Sequence, residues 1–312
     1  MNSYMRNVCR GAIDVIQFHH CEHLGLHRSG AIFFLIKEET MMRNKSLMLG
    51  LGLVTFLATS CTGNGFDNTR LVVGLECDYA PFNWTAITAN EFTLPIDGVS
   101  NQFADGYDVQ IARYLGQELE VPVVIKKIAW NSLIPAMVTK DINVIIAGMS
   151  YDSDRDVQVD FSSPYYVSDL VAVVRNNSPL VSATSIQDFG GYRVITQLGT
   201  LQDSIIDQIN NVVHLPGSDS FNTAALSVLA SDADAMIAEY PVARAIVNAN
   251  PTLAIVSFTV GFTGYDENAL SVSVAVQEGN DALVASINEA LNKLSNETRL
   301  TWMNGAIERA TV

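Results

Sequence analysis

Arg155 stands among Asp152, Asp154 and Asp156 in "AGMSYDSDRDVQVDFSSPYY", residues 147–166. A guanidinium is planar, always charged and forked, so it can clamp a carboxylate with two parallel hydrogen bonds. Taken alone, the same spacing describes a solvated turn whose charges neutralise one another. A second group of reactive side chains lies in the first forty residues, where Cys9, Cys21, His19, His20, His23 and His27 could suggest a metal site. Their spacing matches no zinc pattern and no paired knuckle follows, so no metal is expected.

The N-terminal residues are better explained by processing. The codons for Lys37, Glu38 and Glu39 form a purine run like a ribosome-binding site just ahead of Met41. Translation is therefore expected to start at Met41 or Met42, leaving residues 1–40 as an upstream extension of the reading frame. Arg43 and Lys45 then supply a positive region, and Leu47 to Leu57 an apolar stretch too short to span a bilayer. "LATSC" resembles the end of a bacterial lipoprotein signal, which makes residues 41–60 a signal peptide and Cys61 the acylated residue. Residues 61–69, polar and containing Gly and Asn, read as a flexible tether.

Beyond residue 60 the chain holds 12 basic and 29 acidic residues, a net charge of about −17. So acidic a surface argues against nucleic acid, which rewards basic patches. Cys77 and Cys61 are the cysteines that remain, so no intramolecular disulfide is expected if Cys61 is lipidated.

Strand-like apolar runs alternate with helical periodicity. "RLVVGLE", "VPVVIKKI" and "INVIIAGMS" read as strands, while "GYDVQIARYLGQELE" puts Tyr107, Ile111, Leu115 and Leu119 on one helical face. A second series starts at "DLVAVVRN" and runs through "YRVITQ", "VVHL" and "ADAMIAE", with helices between. The chain returns through "NALSVSVAVQ" and closes with two helices. The expected fold is α/β: two lobes, each a mostly parallel sheet flanked by helices, joined by two extended passes near 167–174 and 269–275. Lobe I takes residues 70–169 and 271–312, lobe II residues 170–270. Thr85 to Asp105 shows no period and is expected to be a long loop. Ligands in such folds bind beyond the carboxyl ends of the strands, here between the lobes.

"VGLECDYAPFNW", "GYDVQIARYLGQEL", "AWNSLIPAM", "INVIIAGMSYDSDRDVQVDFSSPYY", "LGTLQ" and "ADAMIAEYPVA" together resemble the periplasmic-type amino-acid-binding proteins of ABC importers. These include the lysine/arginine/ornithine-, histidine- and glutamine-binding proteins. The resemblance implies a type II periplasmic-binding-protein fold in lipoprotein form. It makes Arg155 the clamp for the ligand's α-carboxylate, and Glu239 the acceptor for its α-ammonium group. Glu239 could also simply favour the dipole at a helix start before Pro241. Gly148 lets the backbone approach the ligand, Ser150 offers a hydroxyl and an amide, and Thr200 and Leu201 offer N–H groups at a helix start. Many relatives carry Thr or Ser where this chain has Leu201, so one hydroxyl contact is lost. Tyr79 and Trp130 match aromatics that cover the ligand side chain, Glu76 matches an acidic position facing its end, and Asp78 either joins it or caps a turn.

The implied function is capture of a polar or basic amino acid and its delivery to an ABC permease and its ATPase. The protein is expected to act as a monomer, held to the outer face of the membrane by lipid, without cofactor. The rival is an enzyme on the same scaffold, like cyclohexadienyl dehydratase, with a Glu at the place of Glu239 as acid. A catalytic site wants a second titratable group beside it, and the cleft motifs contain no Lys or His. If Cys61 is acylated, intact-mass measurement on membrane-extracted protein will show a diacylglyceryl adduct on a chain starting at Cys61, and Cys61→Ser will abolish it. A soluble wild type with another N-terminus would overturn the expectation.

Overall fold

The computed structural model describes residues 67–265 and 268–310. The expected upstream extension, signal segment and acylated Cys61 lie outside the described residues. Leu71–Leu75 (β1) is an apolar run, as suits a strand covered on both faces. Four short strands surround the start of the first helix: Asp78–Tyr79 (β2), Asn83–Ala86 (β3), Leu94–Pro95 (β4) and Phe103–Asp105 (β5). Tyr107–Glu118 (α1) buries Tyr107, Ile111 and Leu115 on one face, with Leu119 at its C-cap. Val123–Lys127 (β6), Leu133–Val138 (α2), Val144–Ile145 (β7), Ser153–Asp156 (α3) and Val159–Val167 (β8) follow.

The second lobe comprises Leu170–Arg175 (β9), Arg193–Ile195 (β10), Leu201–Ile205 (α4), Val213–His214 (β11) and Phe221–Leu229 (α5). It continues with Ala235–Glu239 (β12), Tyr240–Ala249 (α6) and Leu253–Ser257 (β13). Ser271–Gln277 (β14), Asp281–Lys293 (α7) and Asn296–Arg309 (α8) complete the first lobe.

Two five-stranded sheets carry the lobes, ordered β6-β1-β7-β14-β8 and β11-β10-β12-β9-β13. In the first, β1 lies parallel to β6 and β7, and β14 runs antiparallel to β7 and β8. In the second, β10 lies parallel to β11 and β12, and β9 runs antiparallel to β12 and β13. The reversed strand of each sheet is the one that has just crossed from the other lobe. Along β9 the side chains alternate between two cores: Val171 and Val173 share one with Phe221, Val228 and Ile246, and Leu170, Ala172 and Val174 share the other with Phe189, Val194 and Ile206. α8 packs on α1 and also on α6 of the second lobe.

Two expectations change, and one further strand is added. Thr85 to Asp105 is not a plain loop, because β3 pairs with β5 and β5 with β4 in a small antiparallel sheet. Its strands, of two to four residues, are too short to leave an alternating pattern. "INVIIAGMS" pairs as a strand only at Val144–Ile145, after which the chain turns toward the cleft with Gly148 at φ +61°. "LAIVS" supplies β13, which pairs along the whole of β9 at one edge of the second sheet.

Gly106, just before α1, holds φ at +135°, and a Cβ there would sit 2.2 Å from the Phe82 carbonyl oxygen. Both the dihedral and the backbone contact exclude a side chain. Gly106→Ala is expected to lower unfolding stability by about 2 kcal/mol or more, read as a shift in the denaturant midpoint. An unchanged midpoint would show that this turn relaxes freely.

Candidate functional site between the lobes

The cleft is built from strand ends. In lobe I, β1 leads into Glu76 to Tyr79, β6 into Trp130, and β7 into Gly148 and Ser150, with Arg155 on α3 just beyond. In lobe II, β10 leads into Gln197 to Leu201, and β12 ends at Glu239, immediately before α6. These turns meet around a cavity of about 320 Å³ lined by Tyr79, Trp130, Gly148, Ser150, Arg155, Thr200, Leu201 and Glu239, together with Gln197, Gln202 and Phe221. Eight of the ten residues singled out for the ligand therefore share one cavity.

The aspartates around Arg155 have separate duties. Asp152 caps α3, its carboxylate accepting the N–H groups of Asp154 at 2.9 Å and Arg155 at 3.2 Å. Asp154 and Asp156 are exposed. The Arg155 guanidinium donates from Nη1 to the Ser150 carbonyl at 2.9 Å and from Nη2 to the Gly199 carbonyl, in the other lobe, at 3.0 Å. It lies 5.1 Å from the centre of the Trp130 ring, and Trp130 Nε1 donates to the same Gly199 oxygen at 3.3 Å. Burial lowers its pKa, with Asp152 opposing, but a guanidinium stays charged throughout the accessible range.

On the opposite wall Glu239 is 9% exposed. Burial raises its carboxyl pKa, against the hydrogen bonds of Tyr79 and Gln202. The Tyr79 hydroxyl donates to Glu239 Oε2 at 2.7 Å across the cleft. Tyr79 is itself held in a ring stack, with Phe82 on one side at 5.1 Å and Phe221 on the other at 5.0 Å. Gly148 sits against it, where a Cβ would come 2.6 Å from Tyr79 Cε1. The Thr200 hydroxyl caps α4 by accepting the Asp203 N–H at 3.3 Å and donates to the Gln197 carbonyl at 2.8 Å, so its side chain is engaged locally.

Glu76 and Asp78 stand behind the lining. Glu76 Oε1 accepts from Gln197 Nε2 at 2.8 Å, so the carboxamide of Gln197 lies between it and the cavity. Asp78 accepts from Asn222 Nδ2 at 2.7 Å and lines a separate groove with Trp84 and Lys127. Gln197, Gln202 and Phe221 were not singled out from sequence. Phe221 begins an amphipathic helix and reads as ordinary core there, while Gln202 adjoins "LGTL" and could have been found from that position alone.

Burial first, and Asp78 second, push the Glu76 carboxyl from 4.5 up to about 7, with Gln197 and Lys127 opposing. A carboxyl whose pKa rises on folding contributes stability below its unfolded pKa and loses it as pH rises through the folded value. Relative to Glu76→Gln, the wild type should therefore lose stability between about pH 4.5 and 7 and level off above, by a few kcal/mol at roughly 1.4 kcal/mol per pH unit. Unfolding midpoints of the two proteins across that window, differing by a constant amount, would contradict this.

Comparison with known proteins agrees with the fold. Residues 71–304 match the model of the bacterial extracellular solute-binding proteins, family 3. The chain is 29% identical over 223 residues to the "Putative ABC transporter arginine-binding protein 2" of Escherichia coli K12, covering 71% of this chain and 84% of that one. It is 25% identical to the "Arginine-binding extracellular protein ArtP" of Bacillus subtilis 168, covering 85% and 99%. Among solved structures, arginine-bound ArgBP from T. maritima, as its Gly52Ala mutant, superposes with a TM-score of 0.61 at 29% identity, covering 73% of this chain and 96% of that one. Two lobes on mixed sheets, strand ends converging on one inter-lobe cavity and a family match over three quarters of the sequence have one meaning: the chain belongs to the bacterial extracellular solute-binding proteins, family 3.

Proposed function

We propose that the protein captures one free α-amino acid by closing its lobes and delivers it to an ABC permease and its ATPase, while held at the outer face of the membrane by lipid on Cys61. One observation carries the reading. A guanidinium on lobe I and a carboxylate on lobe II, Arg155 and Glu239, face the same cavity of about 320 Å³. An α-amino acid presents the complementary pair, carboxylate and ammonium, on one carbon atom.

Binding to both walls gives the ligand a higher affinity for the closed than for the open arrangement, and so shifts the population to the closed one. An ammonium at Glu239 favours the ionised carboxylate that burial disfavours. Gly148 and Ser150 bring backbone close to the carboxylate, and the N–H of Leu201, the first residue of α4, has no carbonyl within the helix to donate to. Tyr79, Phe221 and Trp130 wall the side-chain end, where the Gln197 carboxamide and the Glu76 carboxyl behind it favour a polar or basic terminus. Arginine, lysine or glutamine should bind better than leucine or glutamate.

A thermal-shift screen against the twenty amino acids tests the ligand class, since a ligand at 100 times its Kd stabilises by about 2.7 kcal/mol. Arg155→Ala should keep the fold and weaken the ligand so found by about 3–5 kcal/mol, because the bound carboxylate loses its partner. That is roughly two to four decades of Kd by calorimetry. A loss under about threefold would return Arg155 to a surface role.

A further inference from the structure

Two of the turns through which lobe I meets the cleft each contain a residue in left-handed backbone. Gly148 has φ +61°, and Cys77, which carries a side chain, has φ +55°. A non-glycine residue adopts that conformation only where its surroundings over-determine it. The sheets hold part of each turn: Asp78 and Tyr79 pair with β3, the Ser273 N–H donates to the Met149 carbonyl at 2.9 Å, and Ser150 bridges to Val272. The N–H groups of the two left-handed residues are fixed by side chains. The Gly148 N–H donates to the Tyr165 hydroxyl oxygen at 3.1 Å, and the Cys77 N–H to Asn83 Oδ1 at 2.7 Å.

Both chains of hydrogen bonds end on one carboxylate. Tyr165 donates its hydroxyl to Asp108 Oδ1 at 2.7 Å, and Asn83 donates from Nδ2 to Asp108 Oδ2 at 2.8 Å. Asp108 is the second residue of α1 and is wholly buried. Its own N–H donates to the Phe82 carbonyl at 2.8 Å, and the Gly148 N–H also approaches its carboxylate. An ionised carboxylate only accepts, so it can orient several donors at once. A buried charge is a poor way to gain stability alone, because an apolar residue of similar volume commonly does as well. Its use here lies in what it aims.

We propose that Asp108 is a positioning residue for ligand capture: through Tyr165 it sets the backbone at Gly148, and through Asn83 the backbone at Cys77, so that two of the lobe I turns at the cavity share one buried carboxylate. The consequence for binding rests on the amino-acid reading above; the consequence for the two turns does not. Asp108→Asn keeps the volume but turns one acceptor into a donor that meets a donor, either Asn83 Nδ2 or the Tyr165 hydroxyl.

The test is native-state amide exchange by NMR in the ligand-free protein, with calorimetry of L-arginine as probe. In Asp108→Asn, Gly148 and Cys77 should exchange at least about tenfold faster while amides in α7 change less than about twofold. In Tyr165→Phe, Gly148 alone should accelerate, and the double variant should be no faster at Gly148 than the faster single one. If Asp108→Asn fails to accumulate, Tyr165→Phe decides: Cys77 must keep its rate while Gly148 accelerates. Uniform acceleration through lobe I, or unchanged rates at both turns, overturns the proposal. L-arginine affinity should fall at least about tenfold in Asp108→Asn, and equal affinity would also overturn it. A wild type that does not bind L-arginine counts against that ligand and leaves the exchange result to decide the positioning role.

Discussion

Two opposite charges face one small cavity from different lobes and form no ion pair with each other. Arg155 is satisfied by backbone carbonyls and Glu239 by a phenol. Withdrawing such groups from water is expensive unless a partner of opposite sign arrives. A zwitterion supplies both partners at once. On the proposed reading, closing the cleft is coupled to ligand chemistry, because a molecule carrying both charges at a fixed short distance would restore what the two groups lose in hydration.

Further hydrogen bonds cross the cleft. Tyr79 reaches Glu239, Gln197 reaches Glu76, Asn222 reaches Asp78, and Trp130 reaches Gly199. The Trp130 bond joins neutral groups and is on the order of 1 kcal/mol, while the other three end on carboxylates, where about 1.5–3 kcal/mol is typical when the acceptor is ionised. The Tyr79 hydroxyl has a particular place among them, because it donates to the carboxylate that an ammonium group would occupy.

These contacts depend on turns held rigid by the sheets beneath them. The cleft residues follow β1, β6, β7, β10 and β12, so all lie at carboxyl ends of strands, where loop geometry can vary without disturbing the core. The strands that cross between lobes, β9 and β14, are each paired on both sides with strands of their new sheet.

What the sequence determined by itself follows from backbone geometry. Apolar runs bounded by turns located β1, β6, β9 and β12, and helical spacing located α1, because each pattern is set by neighbours within one element; Arg155 among its aspartates read from spacing alone as a solvated turn, and its role at a ligand came from the family resemblance. The small sheet at 78–105 escaped because strands of two to four residues carry no usable period. Tertiary structure alone decided which turns oppose one another. Tyr79 and Glu239 are 160 positions apart, Glu76 and Gln197 121, and Asp78 and Asn222 144. The family resemblance implied a place for Glu76 near a ligand, but it could not show Gln197 bonded to that carboxyl, nor Phe221 stacked on Tyr79. Such pairings come from the packing of two separately formed sheets, and local spacing holds no record of that distance.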